Sequence, residues 1–128
     1  MTKVQFEYPI KSSVKILFDA LTDPSKLSEW FCDDVNLLAK GTSEKVYEFF
    51  WDGSEQRAEV VSIKDNKSIK FHWEDEEEGT FFEMKIQIDD ITNDVALVIT
   101  DFAEDGEEDE CQLLWDSQIK NLFQVLGV

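Results

Sequence analysis

The first residues of the chain alternate between apolar and polar side chains. Val4, Phe6 and Tyr8 fall on one side of an extended segment, polar residues fall on the other, and Pro9 ends the alternation. A period of two is typical of a strand that buries one face. The chain is therefore predicted to open with a half-buried β-strand.

Two short helices are predicted after this strand. Ser12 or Ser13 can cap the first helix, because a serine hydroxyl accepts a hydrogen bond from a free N–H of the first turn. The apolar stripe of that helix, at the spacing i, i+3, i+4 and i+7, consists of Val14, Leu17, Phe18 and Leu21. Asp23 before Pro24 starts the second helix, which is expected to end near Trp30.

The period of two returns between residues 33 and 102. Its clearest mark is Asp52 followed by Gly53, a dipeptide that favours the positive φ angles of a two-residue type I′ hairpin turn. The predicted strands of this region cover residues 35–39, 44–51, 54–63, 69–73, 82–88 and 95–102. With the first strand, seven strands are predicted.

The end of the chain is predicted to be helical from about Cys111, and Gly127 can end this helix. On a helical projection its apolar residues cover about half of the circumference. They are Leu114, Trp115, Ile119, Leu122, Phe123, Val125 and Leu126. A face this wide predicts a helix that is half enclosed by protein.

This order of elements is the helix-grip plan, an α+β fold. A curved antiparallel sheet of about seven strands wraps a long C-terminal helix, and two short helices follow the first strand. Residues 21–31 (LTDPSKLSEWF) and Trp115 before the final apolar positions resemble START-like (SRPBCC) proteins. The similarity is to the branch that resembles the C-terminal domain of the Hsp90 activator Aha1. It implies one START-like domain over residues 1–128.

Composition and charge exclude some classes of partner. Apolar residues make up 42% of the chain, and 10 Phe, 4 Trp and 2 Tyr argue for an ordered core. With 29 acidic against 12 basic side chains, the formal charge of -17 argues against a broad interface with nucleic acid or an anionic membrane. The first ten residues do not resemble a signal peptide, and no apolar run approaches the ~20 residues of a membrane span. A cytoplasmic protein is expected.

Aromatic side chains supply a candidate ligand pocket. The predicted strand faces and the last helix would turn six of them toward one another, with a glutamine on the same arc of the helix. The predicted pocket residues are Phe49, Trp51, Phe71, Trp73, Phe82, Trp115 and Gln118. Ligand sites of this kind are apolar, with a few polar groups for orientation. The alternative is ordinary core packing, with Gln118 satisfied by the backbone.

Acidic residues supply a second candidate surface. Residues 1–73 are nearly neutral, with 12 acids and 10 bases, whereas residues 74–128 hold 17 acids and 2 bases. Two runs at one predicted end of the sheet form an acidic rim of Glu74, Asp75, Glu76, Glu77, Glu78, Glu104, Asp105, Glu107, Glu108, Asp109 and Glu110. Such a rim could attract a basic protein surface or a divalent cation, or could simply keep the protein soluble.

Few residues suit catalysis. His72, the only histidine, shares strand parity with Lys70 and Glu74 and is expected to face solvent rather than a pocket. Cys32 and Cys111 have only that histidine as a possible base, so neither a nucleophile set nor a zinc site is predicted. We find no acid or base in the sequence that is expected to point into the pocket.

A calcium loop is also excluded. Asp101, Asp105 and Gly106 fall at suitable positions of such a loop, but Ala103 and Gln112 stand where oxygen ligands are needed. Neither a metal nor a cofactor is therefore expected.

The sequence thus predicts a non-enzymatic START-like module that binds a small hydrophobic ligand between the sheet and the last helix. The resemblance implies an alternative, an Aha1-like interaction or co-chaperone module that binds a basic protein partner through the acidic rim. A cyclase-type enzyme is a third possibility, and the oligomeric state stays open.

Overall fold

A computed structural model of the protein describes residues 1–40 and 44–128. The strands are β1 (Thr2–Pro9), β2 (Asp34–Lys40), β3 (Glu44–Trp51), β4 (Ser54–Lys64), β5 (Ser68–Trp73), β6 (Phe82–Ile88) and β7 (Val95–Ala103). The helices are α1 (Val14–Thr22), α2 (Pro24–Trp30) and α3 (Glu108–Leu126). In this part of the chain, the predicted order of elements is confirmed.

All of these strands belong to one antiparallel sheet, in the order β1-β7-β6-β5-β4-β3-β2. Strands from β2 to β7 follow the chain as consecutive hairpins, and β1 joins the sheet at the far edge by pairing with β7. The register between β4 and β5 shifts between Val60 and Ser62, and such a bulge increases the local twist of a sheet. The curved sheet of the helix-grip fold is confirmed.

The inner face of the sheet packs against the helices to form the core. Alternation along the strands directs every second side chain to this face. The largest fully buried side chains are Phe49, Phe71, Phe82, Leu17, Leu21, Leu27, Ile69, Met84, Leu97, Ile99, Ile119 and Leu122. Burial of these side chains is the main source of stability, at roughly 25 cal/mol per Å² of apolar surface.

The two short helices start at the predicted caps. The side chain of Ser13 accepts a hydrogen bond from the backbone N–H of Ile16 at 3.2 Å. The carboxylate of Asp23 accepts one from the N–H of Ser25 at 2.9 Å. Each bond satisfies a donor that has no partner inside its helix, which is why α1 and α2 begin where they do.

The hairpin turn between β3 and β4 is not of type I′. That turn requires a positive φ at both central residues. Gly53 has a φ of 79°, but Asp52 is not among the non-glycine residues with positive φ, which in the described chain are Asn66 and Asn93. The two-residue loop itself is present, since Trp51 pairs with Ser54. The predicted hairpin is correct and its predicted turn type is wrong.

The buried face of α3 is narrower than predicted. Trp115, Ile119 and Leu122 are buried against the sheet, whereas Leu114 is 63% exposed and Val125 is 39% exposed. Both exposed residues lie at the margins of the apolar arc. No helix among the described residues is long and apolar enough to cross a membrane.

Candidate functional site

A pocket lies between the inner face of the sheet and the N-terminal half of α3. Its volume is about 360 Å³, a size typical of small-molecule sites. Its described lining residues are Phe31, Trp51, Ser54, Gln56, Trp73, Glu76, Phe82, Asp101, Leu114, Trp115 and Gln118. The lining combines five aromatic rings with carboxylate, amide and hydroxyl groups.

Most of the residues predicted from the sequence to form a pocket line this one. They are Trp51, Trp73, Phe82, Trp115 and Gln118. The other two, Phe49 and Phe71, are on the same face of the sheet but are 0% exposed and lie in the core. Alternation fixes the face on which a strand residue lies but not its depth, which is why the sequence could not separate these two phenylalanines from the lining.

Phe31, the residue after α2, lies at the centre of the aromatic cluster. Its ring centroid is 5.7 Å from that of Trp51 and 6.0 Å from those of Phe82 and Trp115. Its carbonyl oxygen accepts hydrogen bonds from Nε1 of Trp51 at 3.0 Å and from Nε2 of Gln118 at 3.2 Å. Gln118 is thus satisfied by the backbone and also lines the pocket. Sequence reasoning missed Phe31, since it follows a helix end and belongs to no periodic pattern.

The carboxylate of Asp101 contributes to the lining of the pocket. Oδ2 of Asp101 accepts hydrogen bonds from Nε1 of Trp115 at 2.8 Å and from Sγ of Cys111 at 3.8 Å, and Oδ1 accepts one from the N–H of Phe102 at 2.7 Å. Burial raises the pKa of Asp101 above its usual range, and these donors offset the effect only in part. The prediction that no acid points into the pocket was therefore wrong. Strand parity with Ile99, two positions earlier on the inner face, was the available signal.

Glu76 belongs both to the acidic rim and to the lining of the same pocket. Its side chain lines the pocket from the loop between β5 and β6. Glu76 is exposed overall, but partial burial of its carboxyl raises the pKa of Glu76, and the charges of Asp75, Glu104 and Asp101 raise it further. Glu76 is therefore close to acids of both runs. The two runs lie at the same end of the sheet because β6 begins and β7 ends there.

Part of the acidic rim has a structural role. Asp105 accepts a hydrogen bond from Oγ1 of Thr2 at 2.7 Å and lies 3.8 Å from the terminal ammonium of Met1. Helix α3 begins at Glu108, earlier than predicted, so three rim acids occupy its first turn. Negative charge at this position is favourable because the helix dipole is positive at its N-terminus.

His72 lies on the outer face of the sheet, away from this pocket. Its side chain is half-buried rather than freely exposed to solvent, and Nδ1 is 2.7 Å from the carbonyl oxygen of Thr80. Within residues 1–40 and 44–128, no three His, Cys, Asp or Glu side chains are grouped so as to hold a metal ion. The chemistry available in the pocket is that of aromatic rings, two carboxylates, amide groups and a hydroxyl group.

Solved structures with a similar fold are known. The solution structure of an Aha1 dimer from Colwellia psychrerythraea is 20% identical, with a TM-score of 0.80 over 98% of this chain and 96% of that chain. DynU16, a protein from the dynemicin biosynthetic locus, is 17% identical, with a TM-score of 0.76 over 98% of this chain and 47% of that chain. A protein from Mesorhizobium loti is 18% identical, with a TM-score of 0.74 over 98% and 97% of the two chains.

These structural similarities, at such low identity, show the fold alone. A search among curated proteins finds no match. The model of the START-like superfamily domain, however, matches residues 1–128. The match covers the whole chain and agrees with the observed helix-grip architecture. This protein therefore belongs to the START-like superfamily.

Proposed function

We propose that this protein binds a small apolar molecule in the pocket between the sheet and α3. The observation that carries the proposal is the aromatic lining of the pocket. The rings of Trp51 and Trp73 lie 6.1 Å apart, that of Trp73 stacks on Phe82 at 5.0 Å, and Trp115 lies 6.1 Å from Phe82. Trp51 and Trp73 are half-buried and leave apolar ring surface open to a ligand, whereas Phe31, Phe82 and Trp115 are almost fully buried.

The position of the pocket supports entry of a ligand without unfolding. Leu114 lies at its edge and is 63% exposed. Ser54 and Gln56, which contribute to the lining from β4, are also exposed. A ligand in the pocket would cover part of Leu114, and burial of apolar surface would add to the affinity.

Nile red fluorescence and native mass spectrometry test the proposal. We expect the purified protein to bind this neutral dye, or to retain a small molecule in the mass spectrum. Leu114→Trp should reduce dye binding by narrowing the pocket entrance. Leu113→Trp is the matched control, because Leu113 is a neighbouring residue that is 68% exposed and does not line the pocket. A folded protein that binds neither the dye nor any copurified molecule would contradict the proposal.

A second candidate function, that of a protein-interaction module, is supported by exposed apolar residues beside the acidic rim. Leu113 and Leu114 are adjacent exposed leucines in α3, close to the acidic first turn. An apolar patch bordered by negative charge is suited to a partner with an apolar patch bordered by basic residues. The relative from Colwellia psychrerythraea, an Aha1 protein, was solved as a dimer.

Matched charge variants test the second candidate in a pull-down. One variant neutralises three rim acids, Glu77, Glu78 and Asp109. The control neutralises three acids in turns at the opposite end of the sheet, Asp65, Asp90 and Asp94. If the rim recruits a basic partner, only the first variant should lose it, and the loss should be largest at low salt. Equal recovery of the partner by both variants would exclude the rim as its binding surface.

A further inference from the structure

We propose that the pocket selects an organic cation, an ammonium group on a flat apolar body, over neutral or anionic molecules of the same shape. The proposal rests on the proposed ligand-binding function and adds the charge of the ligand to it. It follows from the juxtaposition of five aromatic rings with the carboxylates of Asp101 and Glu76. Among the described residues that line the pocket there is no lysine, arginine or histidine.

The negative charge of Asp101 is not neutralised by a basic partner. Its three hydrogen-bond donors are the indole of Trp115, the backbone N–H of Phe102 and the thiol of Cys111. The thiol stays neutral, because burial and the charge of Asp101 raise the pKa of Cys111 to about 11. All three donors are therefore uncharged.

Asp101 also keeps capacity to accept a hydrogen bond from a ligand. An ionised carboxylate has about four acceptor positions, two on each oxygen. Oδ1 accepts from Phe102, whereas Oδ2 accepts from both Trp115 and Cys111. Oδ1 is thus left with an acceptor position for an ammonium N–H, a charge-assisted bond that is stronger than a neutral one.

The aromatic lining favours the same kind of ligand. The face of an aromatic ring is electronegative and attracts a cation within about 6 Å of its centroid, most strongly for tryptophan. Trp115 is hydrogen-bonded to Asp101, so its ring and the carboxylate belong to the same part of the pocket. Trp115 meets Asp101 through its N–H edge and stacks on Phe31, so the ring faces available to a bound ammonium group are those of the half-buried Trp51 and Trp73.

The pocket also disfavours anions. Glu76 lines it, and its pKa is raised by burial and by the charges of neighbouring acids. The mutual repulsion of these carboxylates would be relieved by a bound cation and increased by a bound anion. A ligand that carries its own carboxylate or phosphate is therefore expected to bind poorly.

Calorimetric titrations with tryptamine, tryptophol and indoleacetate test the inference, because these probes carry one indole body with a positive, neutral or negative group. Salt of about 0.15 M limits long-range attraction by the net charge. We expect tryptamine to bind about tenfold tighter than tryptophol, and indoleacetate to bind most weakly. Equal affinities for the three would overturn the inference and leave the proposed function intact. If the folded protein binds none of them at millimolar concentration, both are overturned.

Two charge variants show whether the preference for tryptamine comes from the pocket or from the net charge of the protein. Asp101→Asn removes a charge inside the pocket, whereas Asp90→Asn removes one in the turn between β6 and β7, at the opposite end of the sheet. We expect the first to abolish most of the preference for tryptamine and the second to preserve it. Equal losses in both would assign the preference to overall charge and overturn the inference.

A second pocket variant keeps the test decisive if Asp101→Asn does not fold. Asparagine at 101 cannot accept from both Phe102 and Trp115 in the way a carboxylate does, so this variant could lose stability. Glu76→Gln changes an exposed side chain, and it should lower the preference for tryptamine while the protein stays folded. Unchanged selectivity in folded Glu76→Gln and folded Asp101→Asn would contradict the proposal.

Discussion

The indole N–H of Trp115 donates a hydrogen bond of 2.8 Å to Oδ2 of Asp101. This bond joins α3 to β7 between two residues that line the pocket. It also fixes the ring of Trp115 at 6.0 Å from Phe31, where the two rings stack. Because Trp115 is only 5% exposed, water cannot readily replace its partner. The docking of the C-terminal helix and the shape of the pocket therefore depend on the same pair of residues.

Substitution of Trp115 separates the contribution of its ring from that of its hydrogen bond. Trp115→Ala removes a buried aromatic side chain, and we expect the free energy of unfolding to fall by about 3–5 kcal/mol. Trp115→Phe keeps a ring but removes the donor to Asp101, and we expect a loss of about 1–3 kcal/mol. Urea unfolding measures both values. A Trp115→Phe variant as stable as the wild type would show that the bond does not hold α3 in place.

Asp101 should make the free energy of unfolding depend on pH in a characteristic way. Burial raises its pKa in the folded state, so the folded protein binds this proton more tightly than the unfolded chain does. Between the ordinary pKa of an aspartate, about 3.9, and the raised value, this contribution to stability is lost as pH rises.

Comparison with Asp101→Asn isolates this contribution from that of the other acids. As pH falls from about 7 to about 4, the difference in unfolding free energy between the two proteins should move in favour of the wild type. Urea unfolding at a series of pH values measures this difference. A difference that is constant over the range would contradict the raised pKa.

Two residues of α3 test how much of its apolar arc is buried. Ile119 is 1% exposed, whereas Leu114 is 63% exposed. Ile119→Ala should therefore lower the free energy of unfolding by about 2–5 kcal/mol. Leu114→Ala should change it by less than about 0.5 kcal/mol, as is usual for a surface position. Similar costs at the two positions would mean that Leu114 is enclosed as well, as in the half-enclosed helix that the sequence predicted.

The turn between β3 and β4 offers a further matched pair of substitutions, at Gly53 and Asp52. Gly53 has a φ of 79°, a conformation that costs other residues about 1–2 kcal/mol. Gly53→Ala should therefore destabilise the protein by about that amount in thermal or urea unfolding. Asp52 is exposed and has no positive φ, so Asp52→Ala should have an effect below about 0.5 kcal/mol. A Gly53→Ala variant as stable as the wild type would show that the turn can adopt another backbone conformation at little cost.

The fold could be predicted because local patterns and long-range packing agree. The caps at Ser13 and Asp23, the alternation of the strands and the apolar arc of α3 each indicate an element on their own. Local patterns do not predict how much of each element its neighbours cover. Leu114 shares the arc of α3 with Trp115, yet Leu114 is 63% exposed and Trp115 only 5%.

The candidate site could be predicted only in part. Trp51 and Trp73 followed from strand parity, and the same parity applied to β7 would have found Asp101. The apolar run around that aspartate concealed it, because a strand that is apolar on both faces gives no alternation. Phe31 and Glu76 reach the pocket from a helix end and a loop, where no period exists to place a side chain.

The central claim, that a small molecule binds between the sheet and α3, is tested most directly by nuclear magnetic resonance of the four tryptophan indole N–H groups. Trp51, Trp73 and Trp115 line the pocket, whereas the indole N–H of Trp30 is bonded to the carbonyl oxygen of Ala20 in α1. We expect tryptophol, a neutral probe, to shift the first three signals in a saturable manner and Trp30 the least. Four unchanged signals at millimolar tryptophol, or a shift confined to Trp30, would contradict the account.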